Sequence, residues 1–274
     1  MKPFSIPITV IGPGTQTEGE SLNYIEMPHD MHTYRPPVLP EPERMPGRDQ
    51  VRALLADVAA ALAPGHAGAT GVDLQGLEPE VLELLGQILG EGEVSARVEA
   101  GDSLILAQES VFAGVWRVRA LSGGVLVADS IEVADVPSVL RATAAPEIGI
   151  LRPEAGPAVA NAPALLAEIE EQLRQAATHH VINLTLLPFT PGDGEYLDGA
   201  LGRGAVTILS RGYGNCRITA TAVPRVWWVQ YFNAQDALIL NTIEIADVPE
   251  VARAAAEDLE DSRERLIEVL DWIG

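Results

Sequence analysis

The sequence predicts an α+β protein made of two tandem repeats of a helix–antiparallel sheet–helix unit, related by a pseudo-twofold and preceded by an extended N-terminal arm. An internal repeat is the first ground for this. Ile131-Glu132-Val133-Ala134-Asp135-Val136-Pro137 returns as Ile243-Glu244-Ile245-Ala246-Asp247-Val248-Pro249, an offset of 249 − 137 = 112. At that offset Leu89-Gly90 meets Leu201-Gly202, Gly92 meets Gly204, Trp116 meets Trp228 and Leu126 meets Leu238. The second ground is periodicity, with apolar residues at helical spacing opening each copy and alternating runs between turn signals following. The third is a change of composition near the start. Pro28, Pro36, Pro37, Pro40, Pro42 and Pro46 remove backbone donors and favour extended over packed conformations.

The arm covers residues 1–48. Within it Ile6 to Ile11 reads as a short strand ended by Gly12-Pro13-Gly14, and the remainder reads either as a disordered arm or as a segment that docks on this protein or a partner. The first repeat, 49–146, opens with a helix whose apolar face carries Val51, Leu54, Leu55, Val58 and Leu62. A shorter helix at 79–89 precedes strands at 93–99, 103–110, 114–120 and 125–133. Residues 147–160, with Pro153, Gly156 and Pro157, form the linker. The second repeat, 161–274, starts at Asn161 and Pro163 ahead of Leu165, Leu166, Ile169 and Leu173, a helix-start signal. A helix at 194–201 and strands at 204–210, 216–223, 226–232 and 237–245 follow. Each repeat ends in a helix entered through Asp-Val-Pro, where Asp247 and Glu250 have capping-box spacing. The last helix is expected to run from Val248 to Ile273.

Composition narrows the function classes. The chain has 274 residues, with 39 Asp and Glu against 18 Lys and Arg, a formal charge of −21. Such a surface repels phosphate, so nucleic acid and anionic membranes are unfavourable partners. The single cysteine forms no internal disulfide and builds no zinc or iron–sulfur cage alone. No apolar run approaches a spanning helix, so no membrane insertion is expected. The start, Met1 to Gly14, lacks the basic-then-apolar pattern of a secretory signal, and a cytoplasmic location is expected. No P-loop, nucleophile elbow or zinc-protease motif occurs, and no catalytic residue, cofactor or metal ligand set is assigned. His179-His180 with Cys216 is a weak metal pairing.

Duplication supplies an internal comparison. Positions alike in both copies serve the fold; positions that diverge are free to serve a partner. The sharpest divergence is Arg211-Gly212-Tyr213-Gly214-Asn215-Cys216-Arg217, against Glu99-Ala100-Gly101-Asp102-Ser103-Leu104-Ile105 in the first copy. The arginines offer planar forks for carboxylates or carbonyls, the glycines permit close approach of another backbone, and Cys216 is nucleophile, ligand or small core residue. The same stretch also reads as an ordinary hairpin turn. Strand alternation sets Cys216 with Ile218 and Ala220, opposite Arg217 and Thr219. A second divergence replaces Val115, Arg117 and Arg119 by Trp227, Val229 and Tyr231. Either the final helix, through Val251, Ala255, Leu259, Ile267 and Leu270, covers this apolar face, or the face meets a partner. Exposure of Cys216 and Trp227 discriminates between these readings.

The segment from Arg211 to Thr242, with Val226-Trp227-Trp228-Val229-Gln230-Tyr231-Phe232-Asn233 and Leu238-Ile239-Leu240-Asn241-Thr242, resembles the HupH/HyaF hydrogenase expression/formation proteins. So does the arm, through Ile11-Gly12-Pro13-Gly14, Tyr34-Arg35-Pro36-Pro37 and Leu39-Pro40-Glu41-Pro42. The resemblance implies an accessory protein, not an enzyme, in maturation of an uptake nickel–iron hydrogenase. Its expected partners are the iron–sulfur small-subunit precursor before export and other maturation accessory proteins, with a homodimer as a further option. The resemblance carries over no catalytic residues. The alternatives are a thiol-dependent redox protein and an iron–sulfur or metal-delivery protein, both using Cys216.

Overall fold

The computed structural model describes residues 45–63, 70–142, 149–212 and 214–274. The strand expected at Ile6 to Ile11, the rest of the arm before Met45, and Tyr213 lie outside the described residues.

Helix α1 (Arg48–Ala61) buries Val51, Leu55 and Val58 at the expected spacing. It is followed by β1 (Thr70–Asp73), α2 (Pro79–Leu89), β2 (Val94–Ala100), β3 (Ser103–Glu109), β4 (Val115–Ser122), β5 (Val125–Val133) and the short α3 (Ser138–Ala142). The second series begins with α4 (Ala162–Arg174), with Pro163 in its first turn where the missing N–H is harmless. It continues through β6 (His179–Asn183), α5 (Pro191–Leu201), β7 (Val206–Ser210), β8 (Asn215–Ala220), β9 (Val226–Phe232) and β10 (Leu238–Ala246), ending in α6 (Ala256–Ile273). Sequence reading placed eight of these strands within a few residues and missed β1 and β6.

Among the described residues the ten strands form one antiparallel sheet in the order β1-β5-β4-β3-β2-β7-β8-β9-β10-β6. The two series meet where β2 pairs with β7, with Ala96 directly opposite Ile208. Reading outward from that pair, each strand has its counterpart at the same distance on the other side.

Three apolar clusters hold the layers together. On one face of the sheet, here the front, α1, α2 and α6 pack over Val115, Ile131 and Val133. The other wing of the same face carries α4 and α5 over Ile182, Val226, Ile243 and Ile245. On the back face a central cluster gathers Ala96, Ala107, Trp116, Ile208, Cys216, Ile218, Trp227 and Val229 under Val136, Leu140, Val248 and Ala252. Alternation of side chains along each strand separates the faces, so Val226 and Trp227 belong to different cores.

The final helix does not do what its sequence suggested. Glu250–Ala252 is a 3₁₀ turn, and α6 then leaves for the first series, where Leu266, Val269 and Ile273 are buried beside α1. Leu259 lies so close to Gly114 that a Cβ there would fall 1.9 Å from it. The face carrying Trp227, Val229 and Tyr231 is covered instead by α3 and the 3₁₀ turn.

The shared Asp-Val-Pro edge is also not a helix cap. Pro249 caps the 3₁₀ turn without a side-chain bond, and Asp247 turns to Arg141. Arg141 bridges Asp135 at 2.9 Å and Asp247 at 3.0 Å, while Arg253 reaches Asp135 at 2.8 Å. These four residues are two pairs at the repeat offset, 247 − 135 = 112 and 253 − 141 = 112, so the edge joins the series through ion pairs. Partial burial pushes the Asp135 carboxyl up, but hydrogen bonds from Arg141 and Arg253 outweigh it and hold the group below its ordinary value.

Candidate functional site

The hairpin between β7 and β8 carries the divergent turn. Ser210 pairs with Cys216, whereas in the first series Val98 pairs with Ile105 and the ladder continues to Ala100 and Ser103. Taking Ser210 as the counterpart of Val98 (210 − 98 = 112), Cys216 is the counterpart of Ile105 at 216 − 105 = 111. The second hairpin is thus one residue shorter, and its turn from Arg211 to Asn215 leaves the ladder early. Gly214 takes a φ of +97°, open to glycine without strain. At Gly212 a Cβ would fall 2.0 Å from the Glu93 carboxylate, and the Arg211 N–H donates to the Glu93 carbonyl at 3.1 Å.

That slip changes which residues of the two series stand at equivalent places in the sheet. Trp116 Nε1–H donates to the Ala134 carbonyl at 3.0 Å, and Trp227, not Trp228, makes the equivalent bond to Ala246 at 3.1 Å. Trp227, Val229 and Tyr231 therefore answer to Trp116, Val118 and Ala120. The residues answering to Val115, Arg117 and Arg119 are Val226, Trp228 and Gln230. The apparent swap of arginines for aromatics compared opposite faces of the sheet.

Cys216 and Trp227 are 3% and 5% exposed, inside the back-face core. Neither offers a surface to a partner, which removes both from the candidate contact set. Burial pushes the Cys216 thiol up to about 12, with a Tyr231 hydrogen bond opposing and the Glu244 charge adding to it. A thiol so placed is protonated at neutral pH and is neither nucleophile nor ready ligand. Tyr231 is half-buried and likewise pushed up to about 12 by burial first and the Cys216 neighbour second. His179 and His180 lie on β6, the sheet edge, with His180 Nε2 2.8 Å from Glu168 Oε1. Three strand spacings separate β6 from Cys216 on β8, roughly 14 Å, too far for a shared ion. Among the described residues no three His, Cys, Asp or Glu converge as a metal site.

What remains at the surface is the rest of the turn. Arg211, Asn215 and Arg217 are exposed beside a depression of about 470 Å³ that Leu209, Phe232 and Asp236 also line. Arg217 sits over the Phe232 ring with its guanidinium carbon 5.7 Å from the centroid, a cation–π contact that orients its fork. Among the described residues neither Arg211 nor Arg217 forms an ion pair. The arrangement suits recognition of a carboxylate or a peptide carbonyl beside an apolar side chain.

Sequence reasoning missed Asp193. It is fully buried, and one carboxylate oxygen accepts the N–H groups of Ala160, Asn161 and Ala162 at 2.8 Å each, while the other accepts from the Thr190 N–H at 3.0 Å. The Thr190 hydroxyl receives the Asp193 N–H at 3.0 Å, completing a capping box. Burial alone would raise this carboxyl, yet the backbone donors hold it well below the carboxylate range. The Thr190-Pro191-Gly192-Asp193 spacing is the signal that could have found the cap; its reach to α4 had none.

The fold and site define a two-series α+β protein whose accessible chemistry is an arginine-bearing contact turn. The family model described as HupH hydrogenase expression protein, C-terminal conserved region, matches this chain twice, at residues 50–147 and 159–273. The chain is 50% identical to the hydrogenase expression/formation protein HoxQ of Cupriavidus necator over 100% of its own length and 99% of that protein. It is 46% identical to HupH of Rhodobacter capsulatus, covering 98% of each, and 34% identical to the hydrogenase-1 operon protein HyaF of Escherichia coli, covering 96% and 95%. A solved HupH chain from Thiobacillus denitrificans is 37% identical, covering 40% of this chain and 95% of that one, at a TM-score of 0.39. The chain belongs to the HupH family of hydrogenase expression proteins.

Proposed function

We propose that this chain is an accessory factor in hydrogenase maturation that holds an immature subunit of a nickel–iron uptake hydrogenase, the iron–sulfur small subunit before export. The observation that carries the reading is end-to-end similarity to a relative named a hydrogenase expression/formation protein, 50% identical with no large segment gained or lost. In this reading the protein is a cytoplasmic, chaperone-like holder and not an enzyme. Arg211, Gly212, Asn215 and Arg217 contact the client, with Gly214 setting the turn. Other maturation proteins join the same complex. The acidic surface, −21 overall, keeps a holder of apolar apoprotein soluble.

We further infer that the two matched segments are duplicated copies related by a pseudo-twofold through the Ala96–Ile208 pair. Supporting this are the mirrored strand order and the repeated tryptophan-to-carbonyl bonds. Immobilised protein under reducing, anaerobic conditions tests the functional reading: it is expected to capture the small-subunit precursor, and absence of capture overturns it. Thiol chemistry loses its support once Cys216 is buried.

A further inference from the structure

The centre of the front face is left open between the two helical wings. Register and alternation set one row of side chains across six strands: Arg119 on β4, Leu106 on β3, Arg97 on β2, Thr207 on β7, Thr219 on β8 and Trp228 on β9. The next row brings Leu209 beside Arg217, which places the depression at the 211–217 turn on the same floor. Arg97 is 57% exposed, Leu209 39%, and Arg119 and Arg217 are exposed as well. The helical wings reach only the margins of this strip, where Trp228 packs against the α4–α5 cluster and Gly86 of α2 lies beside Arg117. The back face, by contrast, has α3 and the 3₁₀ turn over its centre.

The strip is cationic within an acidic protein. Arg97, Arg117, Arg119, Arg211 and Arg217 gather here, against Glu93, Glu99, Asp129 and Asp236. Arg97 pairs with Glu99 and Arg117 with Asp129, which leaves Arg119, Arg211 and Arg217 without an ion pair among the described residues. The chain's overall charge of −21 repels an acidic ligand, so arginines interleaved with leucines on one floor give a local exception with a defined complement.

We propose that this floor, from the 211–217 turn across β8, β7, β2 and β3 to Arg119, seats an extended client segment that carries carboxylates between apolar side chains. The inference rests on the client-holding reading and names the surface and the chemistry it recognises. Four strand spacings of about 4.8 Å from β8 to β4 span roughly 19 Å, the length of about six extended residues. Arg119 and Arg217 meet carboxylates with bidentate forks, and Leu106 and Leu209 meet the apolar positions.

The test is affinity of full-length Arg119→Glu/Arg217→Glu for the small-subunit precursor that wild type captures. The expected result is a Kd raised at least about ten-fold, a Lys/Lys variant much closer to wild type, and an unchanged unfolding midpoint. Unchanged affinity of the Glu/Glu variant overturns the inference while leaving client holding intact; wild type that captures nothing overturns both. A photo-cross-linker at Thr207 gives a reading independent of the charge variants. Cross-linking to a client segment containing Asp or Glu supports the proposal. Cross-linking only to a second copy of this chain, or to a client segment without acids, or only from a probe at Glu257 on α6, overturns it.

Discussion

Trp227 donates its indole N–H to the carbonyl of Ala246, 3.1 Å away on the neighbouring strand, with its ring in the back-face core. Trp116 and Ala134 make the same bond in the first series, so each tryptophan ties its β-hairpin to the edge leading into Asp-Val-Pro. A residue that sequence comparison assigned to a partner is thereby a tie within the fold. Trp227→Ala is expected to destabilise by about 3–5 kcal/mol, the range for a buried aromatic deleted from a core. Trp228→Ala, at a half-buried position, is expected to lose less. Chemical denaturation of the two variants side by side checks the order.

Asp193 joins the start of α4 to the start of α5. Asp193→Ala leaves several buried donors unpaired and is expected to destabilise by more than about 3 kcal/mol. The pH dependence has a definite sign. A carboxyl held below its unfolded value contributes stability that is present above roughly pH 4 and is lost as pH falls towards the folded value. Denaturation midpoints between pH 5 and about 2.5 should fall more steeply for wild type than for Asp193→Asn, which carries no such proton linkage.

Glu109 behaves in the opposite sense. It is buried, accepts the Gly114 N–H at 3.1 Å, and is pushed up to about 7 by desolvation first, with Glu93 and Asp258 adding repulsion. A carboxyl raised in the folded state contributes stability that is present below its unfolded value of 4.5 and is lost as pH rises through about 7. Glu109→Gln keeps an acceptor for Gly114 and removes the charge. The variant is expected to gain stability over wild type at pH 8, by up to about 3 kcal/mol, and to match it near pH 4. Because Gly114 packs against Leu259, the same residue bears on how firmly α6 is seated.

Cys216 should be inert in the native protein. With its thiol pushed up to about 12 and 3% exposed, reaction with an aromatic disulfide reagent at pH 8 is expected to be at least about 100-fold slower than after denaturation. Cys216→Ala should leave hydrogenase maturation intact, which an activity assay of a complemented deletion strain measures.

Most of the strand pattern was legible because alternation and turn residues are local signals. The strands β1 and β6 were not: Thr70-Gly71-Val72-Asp73 and His179-His180-Val181-Ile182-Asn183 are short edge strands whose residues show no apolar–polar alternation in the sequence. The one-residue slip at the 211–217 hairpin was invisible to an ungapped offset, because identities before and after it keep the 112 spacing. Only the ladders show that Cys216 stands where Ile105 stands, and so why a thiol was accommodated there. The destination of α6 was equally hidden. Its apolar stripe says that it packs, and nothing local says that it crosses to α1. The exposed arginines of the turn were legible as residues, but their shared floor with Arg97 and Arg119 exists only through the β2–β7 pairing.

Client holding is tested most directly by anaerobic capture of purified hydrogenase subunit precursors on the immobilised full-length protein, small and large subunits in separate reactions. Stoichiometric retention of the small-subunit precursor is expected, with much weaker retention of the large subunit. Failure to retain the small-subunit precursor, with the immobilised protein shown to be folded, overturns client holding.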